Sequence, residues 1–103
     1  MERRQLERRQ FPRVPVCYLG HIFTGDKAAL DAVVLDLSVG GCRMHSTSPV
    51  LPGARLDLQI ALPNQIAPFV VKGATVRWSR QPEFGVSFTG LRPEDQARLC
   101  RLM

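Results

Sequence analysis

Lysine is nearly absent from this chain: 12 of its 14 basic residues are arginine, with only Lys27 and Lys72 beside them. Long apolar runs are missing too. None approaches the roughly 20 residues that span a bilayer as a helix, so a helical membrane protein is not expected. The charged N-terminus is not followed by an apolar stretch, which speaks against a secretory signal and for a cytosolic protein. Cysteine is limited to Cys17, Cys42 and Cys100. An odd, widely spaced set fits reduced buried thiols better than a disulfide framework. Catalytic signatures are lacking as well: there is no nucleophile elbow, phosphate-binding loop or HExxH pair. The acidic residues are scattered and Asp36 has no evident acid–base partner, so an enzyme is not expected. Nor is a metal centre. Cys42 and His45 superficially offer a ligand pair, but on a strand positions three apart face opposite ways, and no second pair stands nearby. His21 and His45 are otherwise isolated.

What is present describes one ordinary globular domain. The 103 residues, 45% hydrophobic and 22% charged, suffice for a single modest core. The formal net charge of +5 favours anionic partners. Its distribution is uneven: residues 1–13 hold Arg3, Arg4, Arg8, Arg9 and Arg13 against Glu2 and Glu7, a surplus of three. The remainder is only mildly basic, which points to a focused anion site rather than a general polyanion surface. Residues 1–13 are therefore expected to form a flexible basic arm, and 14–103 the folded domain.

The folded part reads as short strands broken by turn signals. Val14, Val16 and Tyr18 alternate, giving a first strand to about Phe23, and Thr24-Gly25-Asp26-Lys27 has the composition of a hairpin turn. Ala32 to Leu37 is a continuous apolar run, expected to be a buried strand. Gly41 to His45 alternates again, and 46–52 reads as a loop. The clearest strand is Arg55 to Leu62, with Leu56, Leu58, Ile60 and Leu62 on one face. Phe69 to Trp78 makes a long strand in which Gly73 marks a bulge or bend, and Trp78 is expected to be core. Glu83 to Phe88 ends the β series. This spacing predicts a small antiparallel barrel or sandwich. The period then changes to helical. Pro93 opens the helix, Glu94 and Asp95 suit the first turn of its dipole, and Gln96, Leu99, Cys100 and Met103 form the expected apolar stripe, widened by Leu102.

Two patterns carry chemistry. Arg8-Arg9-Gln10-Phe11-Pro12-Arg13 is an RRxxxR arrangement entering the first strand. A second register, Arg3 to Arg8, spells the same pattern. The later one is preferred because Arg13 abuts a rigid strand end stiffened by Pro12 and Pro15. Asp36-Leu37-Ser38-Val39-Gly40-Gly41 is a DxSxxG arrangement between two apolar runs. A guanidinium fork matches a phosphate or the O6/N7 edge of guanine. A carboxylate at Asp36 accepts from the N1–H and N2–H₂ donors of guanine, and Ser38 offers a hydroxyl to the same base. Gly40 and Gly41 allow a left-handed turn or close approach of a flat ring.

In this order and in a chain of this size, the two motifs resemble the PilZ domain, a bacterial receptor module for cyclic di-GMP. The likeness extends over most of the chain, and Glu83-Phe84-Gly85-Val86-Ser87-Phe88 is similar to a late strand of that family. The resemblance implies a six-stranded antiparallel β-barrel with a C-terminal helix and no catalytic role. It implies a cyclic di-GMP site of Arg8, Arg9, Arg13, Asp36, Ser38, Gly40 and Gly41, with the ligand taken as one molecule or as an intercalated dimer. Ligand binding would then alter the module's conformation and regulate a partner protein controlling motility, exopolysaccharide or virulence. Two other readings compete. A single-stranded nucleic-acid binder would use a basic groove with aromatic platforms, but here only Tyr18, Trp78 and five Phe are available. A ligand-independent adaptor of the same family would not need the motifs.

Overall fold

A computed structural model describes residues 13–25 and 29–102. Six strands follow in order: β1 (Val14–Phe23), β2 (Leu30–Leu37), β3 (Gly41–His45), β4 (Arg55–Ile60), β5 (Phe69–Arg80) and β6 (Glu83–Phe88). A single helix among the described residues, α1 (Pro93–Leu102), ends the chain. The strands close into a barrel in the order β1-β2-β3-β6-β5-β4, every neighbouring pair antiparallel. Closure removes the unpaired edges that an open sheet would expose. The barrel, rather than a sandwich, is the fold.

Alternation supplies the core. Ile22, Ala32, Val34, Cys42, Met44, Leu56, Leu58, Ile60, Val76, Phe84 and Val86 point inward and are buried. The β2 run is not buried on both faces, as its apolar composition suggested. Ala32, Val34 and Leu37 are buried, whereas Val33 and Leu35 lie half-buried on the outer wall. β2 also starts at Leu30, two residues before the expected start. β4 ends at Ile60, because Pro63 has no N–H to continue a ladder. Leu62 still packs inward and is buried.

Bulges reset the inward parity at two places that matter. Gly73 sits at φ 97°, and the β4–β5 register slips there between Leu56 and Asp57. Inward residues on β5 therefore change from Phe69 and Val71 to Ala74 and Val76. The second bulge is on β2, where two steps from Val34 to Asp36 oppose one from Met44 to Arg43. Without it Asp36 would share the inward parity of Val34. With it, the carboxylate belongs to the outer wall.

The helix differs from the expected stripe. Asp95 and Leu99 are buried and Leu102 is half-buried, while Gln96 and Cys100 are exposed; Met103 lies outside the described residues. The reason is electrostatic as well as apolar. Asp95 accepts from Arg92 Nε at 3.1 Å, and Arg98 places its guanidinium 5.1 Å from the centre of the Phe69 ring. A carboxylate so paired in the first turn is tolerated under the barrel, and Leu99 one turn later enters the core.

Candidate functional site

Antiparallel pairing brings the two sequence motifs together. Pro15 of β1 lies opposite Asp36 of β2, which in turn lies opposite Arg43 of β3. Arg13, just ahead of β1, donates from Nη1 to Asp36 Oδ1 at 3.3 Å. Arg43 holds the same carboxylate twice. Its backbone N–H donates to Oδ1 at 3.2 Å and its Nε to Oδ2 at 3.0 Å. Its Nη1 then donates to Glu83 Oε1 on β6 at 2.8 Å. The hydrogen bonds to Asp36 and then to Glu83 raise Arg43 above the ordinary arginine value, so its charge is permanent at any physiological pH.

The Asp36 side chain is 15% exposed, against 39% for Arg13 and 36% for Arg43. The carboxylate thus sits in a shallow recess between two cations. The two arginines are not equivalent partners. Arg43 belongs to a strand and is gripped at both ends of its guanidinium, whereas Arg13, at the barrel's point of entry, makes one long contact among the described residues.

The turn after β2 is built by Ser38, which is 4% exposed. Its hydroxyl oxygen accepts from the N–H groups of Gly40 and Gly41 at 3.1 and 3.2 Å, and the hydroxyl donates to the Gly41 carbonyl at 3.2 Å. The sequence reading set this hydroxyl at a guanine edge. The fold turns it inward, because two turn amides need an acceptor there. Gly41 has a different constraint from the expected one as well. Neither it nor Gly40 adopts a left-handed conformation. A Cβ on Gly41 would run into the Val86 carbonyl and approach Ser87 Cα to 3.1 Å, so β6 backbone packing is what demands glycine. Arg8 and Arg9 lie outside the described residues, as do Asp26 and Lys27 of the expected turn.

Three residues of the same outer surface escaped the sequence reading. Arg43 and Glu83 are two, and Trp78 is the third. Arg43 lies opposite Gly85, and Gly85 opposite Trp78, so Asp36, Arg43, Gly85 and Trp78 form one rung across four strands. Trp78 is not core: it is 39% exposed, and its indole lies over the bare Cα of Gly85 where any side chain would collide. The only sequence signal was the Trp78–Gly85 pairing of large with absent side chain, and that becomes meaningful only once the β5–β6 register is known. The Cys42–His45 pair divides as strand geometry requires, Cys42 inward and buried, His45 on the outer side. Burial pushes the Cys42 thiol far above its ordinary value, the negative charge of Asp36 adds to this, and Arg13 opposes it.

A closed antiparallel barrel with a recessed carboxylate between two arginines, and an indole farther along the same outer rung, is a small β-barrel domain with one polar outer wall. The profile of the PilZ domain matches residues 7–103, and the chain belongs to that family. No curated protein matches the sequence. Among solved structures, YcgR of Escherichia coli in complex with c-di-GMP superimposes with a TM-score of 0.78 at 22% identity, over 92% of this chain and 44% of that one. The inhibitor of motility MotI/DgrA of Bacillus subtilis gives 0.76 at 19% identity, over 91% and 48%. The isolated PilZ domain of Escherichia coli YcgR with c-di-GMP gives 0.70 at 18% identity, over 92% and 88%. The chain thus spans less than half the length of the first two. At these identities the likeness concerns the fold. No helix among the described residues is long and apolar enough to cross a membrane.

Proposed function

We propose that this protein is a cyclic di-GMP receptor module, without catalysis of its own, that changes conformation on binding and thereby regulates a partner protein in bacterial signalling. The observation that carries the reading is the contact between Arg13 and Asp36, which joins the two motifs across 23 positions of sequence on the wall of a PilZ barrel. Two of the structures it resembles are described as holding c-di-GMP, and a third is an inhibitor of motility.

In the proposed complex Asp36 accepts from the N1–H and N2–H₂ donors of a guanine. Arg13 leaves the carboxylate to pair with a phosphate or the O6/N7 edge, joined by Arg9 and assisted by Arg8. Ser38, Gly40 and Gly41 hold the turn beneath the base, and Trp78 offers an aromatic face at the far end of the rung. Uptake of the ligand's charge by the arginines draws residues 1–13 onto the barrel and creates the surface that a partner senses. One molecule or an intercalated pair would suit this arrangement.

Calorimetric titration with cyclic di-GMP, cyclic di-AMP and a short single-stranded oligonucleotide tests the reading. Saturable heat with the guanine dinucleotide alone is expected, weakened about tenfold or more in Arg13→Ala and Asp36→Ala, since each removes a bidentate-type contact. Hydrogen exchange of residues 1–13 slows on ligand addition in the same samples. Absence of binding at tens of micromolar protein, or equal response to all three ligands, would sink it.

A further inference from the structure

Asp36 alone is a poor discriminator, because a freely turning carboxylate satisfies one donor as readily as two. Its surroundings remove that freedom. A carboxylate has about four acceptor positions, two on each oxygen. Among the described residues, Oδ1 accepts from the Arg43 backbone N–H and from Arg13, while Oδ2 accepts from Arg43 Nε. Arg43 therefore takes one position on each oxygen and so fixes the plane of the group. Once Arg13 departs, the described residues leave one acceptor position on each oxygen. That pair matches the adjacent N1–H and N2–H₂ donors of one guanine edge.

Arg43 could do this only if it were held itself. Its Nη1 is anchored by Glu83 Oε1 at 2.8 Å. Glu83 precedes Gly85, the direct cross-strand neighbour of Arg43, by two residues on β6, so it shares the outer face and lies diagonally adjacent. The result is a relay of fixed geometry, Glu83 to Arg43 to Asp36, running across β6, β3 and β2. Lysine could not replace its centre, since a single ammonium cannot present Nε and Nη1 in two fixed directions.

We propose that Arg43, tethered by Glu83, is a positioning residue that sets guanine selectivity by presenting both oxygens of Asp36 to the base. This role rests on cyclic di-GMP being the ligand. It assigns Arg43 no contact with that ligand.

The test compares cyclic di-GMP with its inosine counterpart, which lacks the N2 amino groups, by calorimetry on the full chain. Wild type, Arg43→Lys, Glu83→Ala, Asp36→Ala and the double variant Asp36→Ala/Arg43→Lys are titrated with both. Wild type is expected to prefer the guanine ligand by about tenfold or more. Arg43→Lys loses most of that preference, chiefly through weaker guanine binding, and Glu83→Ala loses part of it. In the Asp36→Ala background Arg43→Lys changes nothing further, because its effect passes through Asp36. An unchanged preference in Arg43→Lys, or an effect that adds in full to Asp36→Ala, overturns the role while leaving the receptor reading intact. Wild type that binds neither dinucleotide overturns both together. Should Arg43→Lys unfold, Glu83→Ala decides alone, since it removes the acceptor that anchors Arg43 Nη1 yet leaves the Asp36–Arg43 pair in place; wild-type preference there rejects the relay.

Discussion

Cys42 shows how one side chain links the core to the site wall. Its thiol is fully buried beside Met44, yet it lies next to Arg43, which holds Asp36 on the opposite face of β3. Burial, with help from the Asp36 charge, keeps the thiol protonated in the folded state well above its ordinary value of 9.0. The unfolded chain gives up that proton as pH passes 9.0, so above this point the unfolded state binds fewer protons and stability falls as pH rises. The slope contributed by one group is at most about 1.4 kcal/mol per pH unit. Urea denaturation between pH 8 and 10.5 is expected to show this decline in wild type and a flatter profile in Cys42→Ala, from a lower starting stability. Parallel profiles would mean that the thiolate is accommodated inside the barrel. Arg43 carries the same sign in a higher window: its stabilisation by Asp36 and Glu83 is complete at every pH below the ordinary arginine range and is lost only as pH rises beyond it.

At the scale of elements, the bulges decide which residues face the outer wall around Asp36. The slip at Leu35–Asp36 converts an inward parity into an outward one at the position where a charge would otherwise be buried. Gly73 does the same for β5, and its φ of 97° is a conformation that side chains resist. Gly73→Ala is therefore expected to cost about 1–2 kcal/mol in stability, with Thr89 Oγ1 only 3.2 Å from the added methyl. Cyclic di-GMP affinity should be unaltered, as Gly73 lies on β5 away from the Asp36 rung. A melting temperature equal to wild type would show the bulge to be pliable. The helix carries a similar lesson. Its periodicity was legible in the sequence, but the buried stripe ran through Asp95, Leu99 and Leu102 because Arg92 and Arg98 neutralise Asp95 beneath the barrel.

At the scale of the whole molecule, +5 of net charge distinguishes a focused site from a polyanion surface only through its salt response. A protein neutralising six to ten phosphates of a nucleic acid loses about 10³–10⁵ in affinity between 50 and 200 mM salt, through release of condensed counterions. A dinucleotide has no such atmosphere, so only screening weakens its binding. Cyclic di-GMP affinity is expected to drop less than about tenfold over that range. A steeper loss, shared by an oligonucleotide, would instead favour the nucleic-acid reading.

The sequence by itself determined the class of fold, the strand series from Val14 to Phe88, the terminal helix and the two motifs. Alternation, turn residues and short spacing are local properties, and they survive in any register. The same local logic placed Trp78 in the core. It could not do otherwise, because side-chain direction depends on bulges, and a one-residue slip reverses every face beyond it. Arg43 and Glu83 stand 40 positions apart, and nothing local ties either to Asp36. Only closure of the barrel decided that these three share one wall, since cross-strand neighbours are set by pairing register and not by distance along the chain.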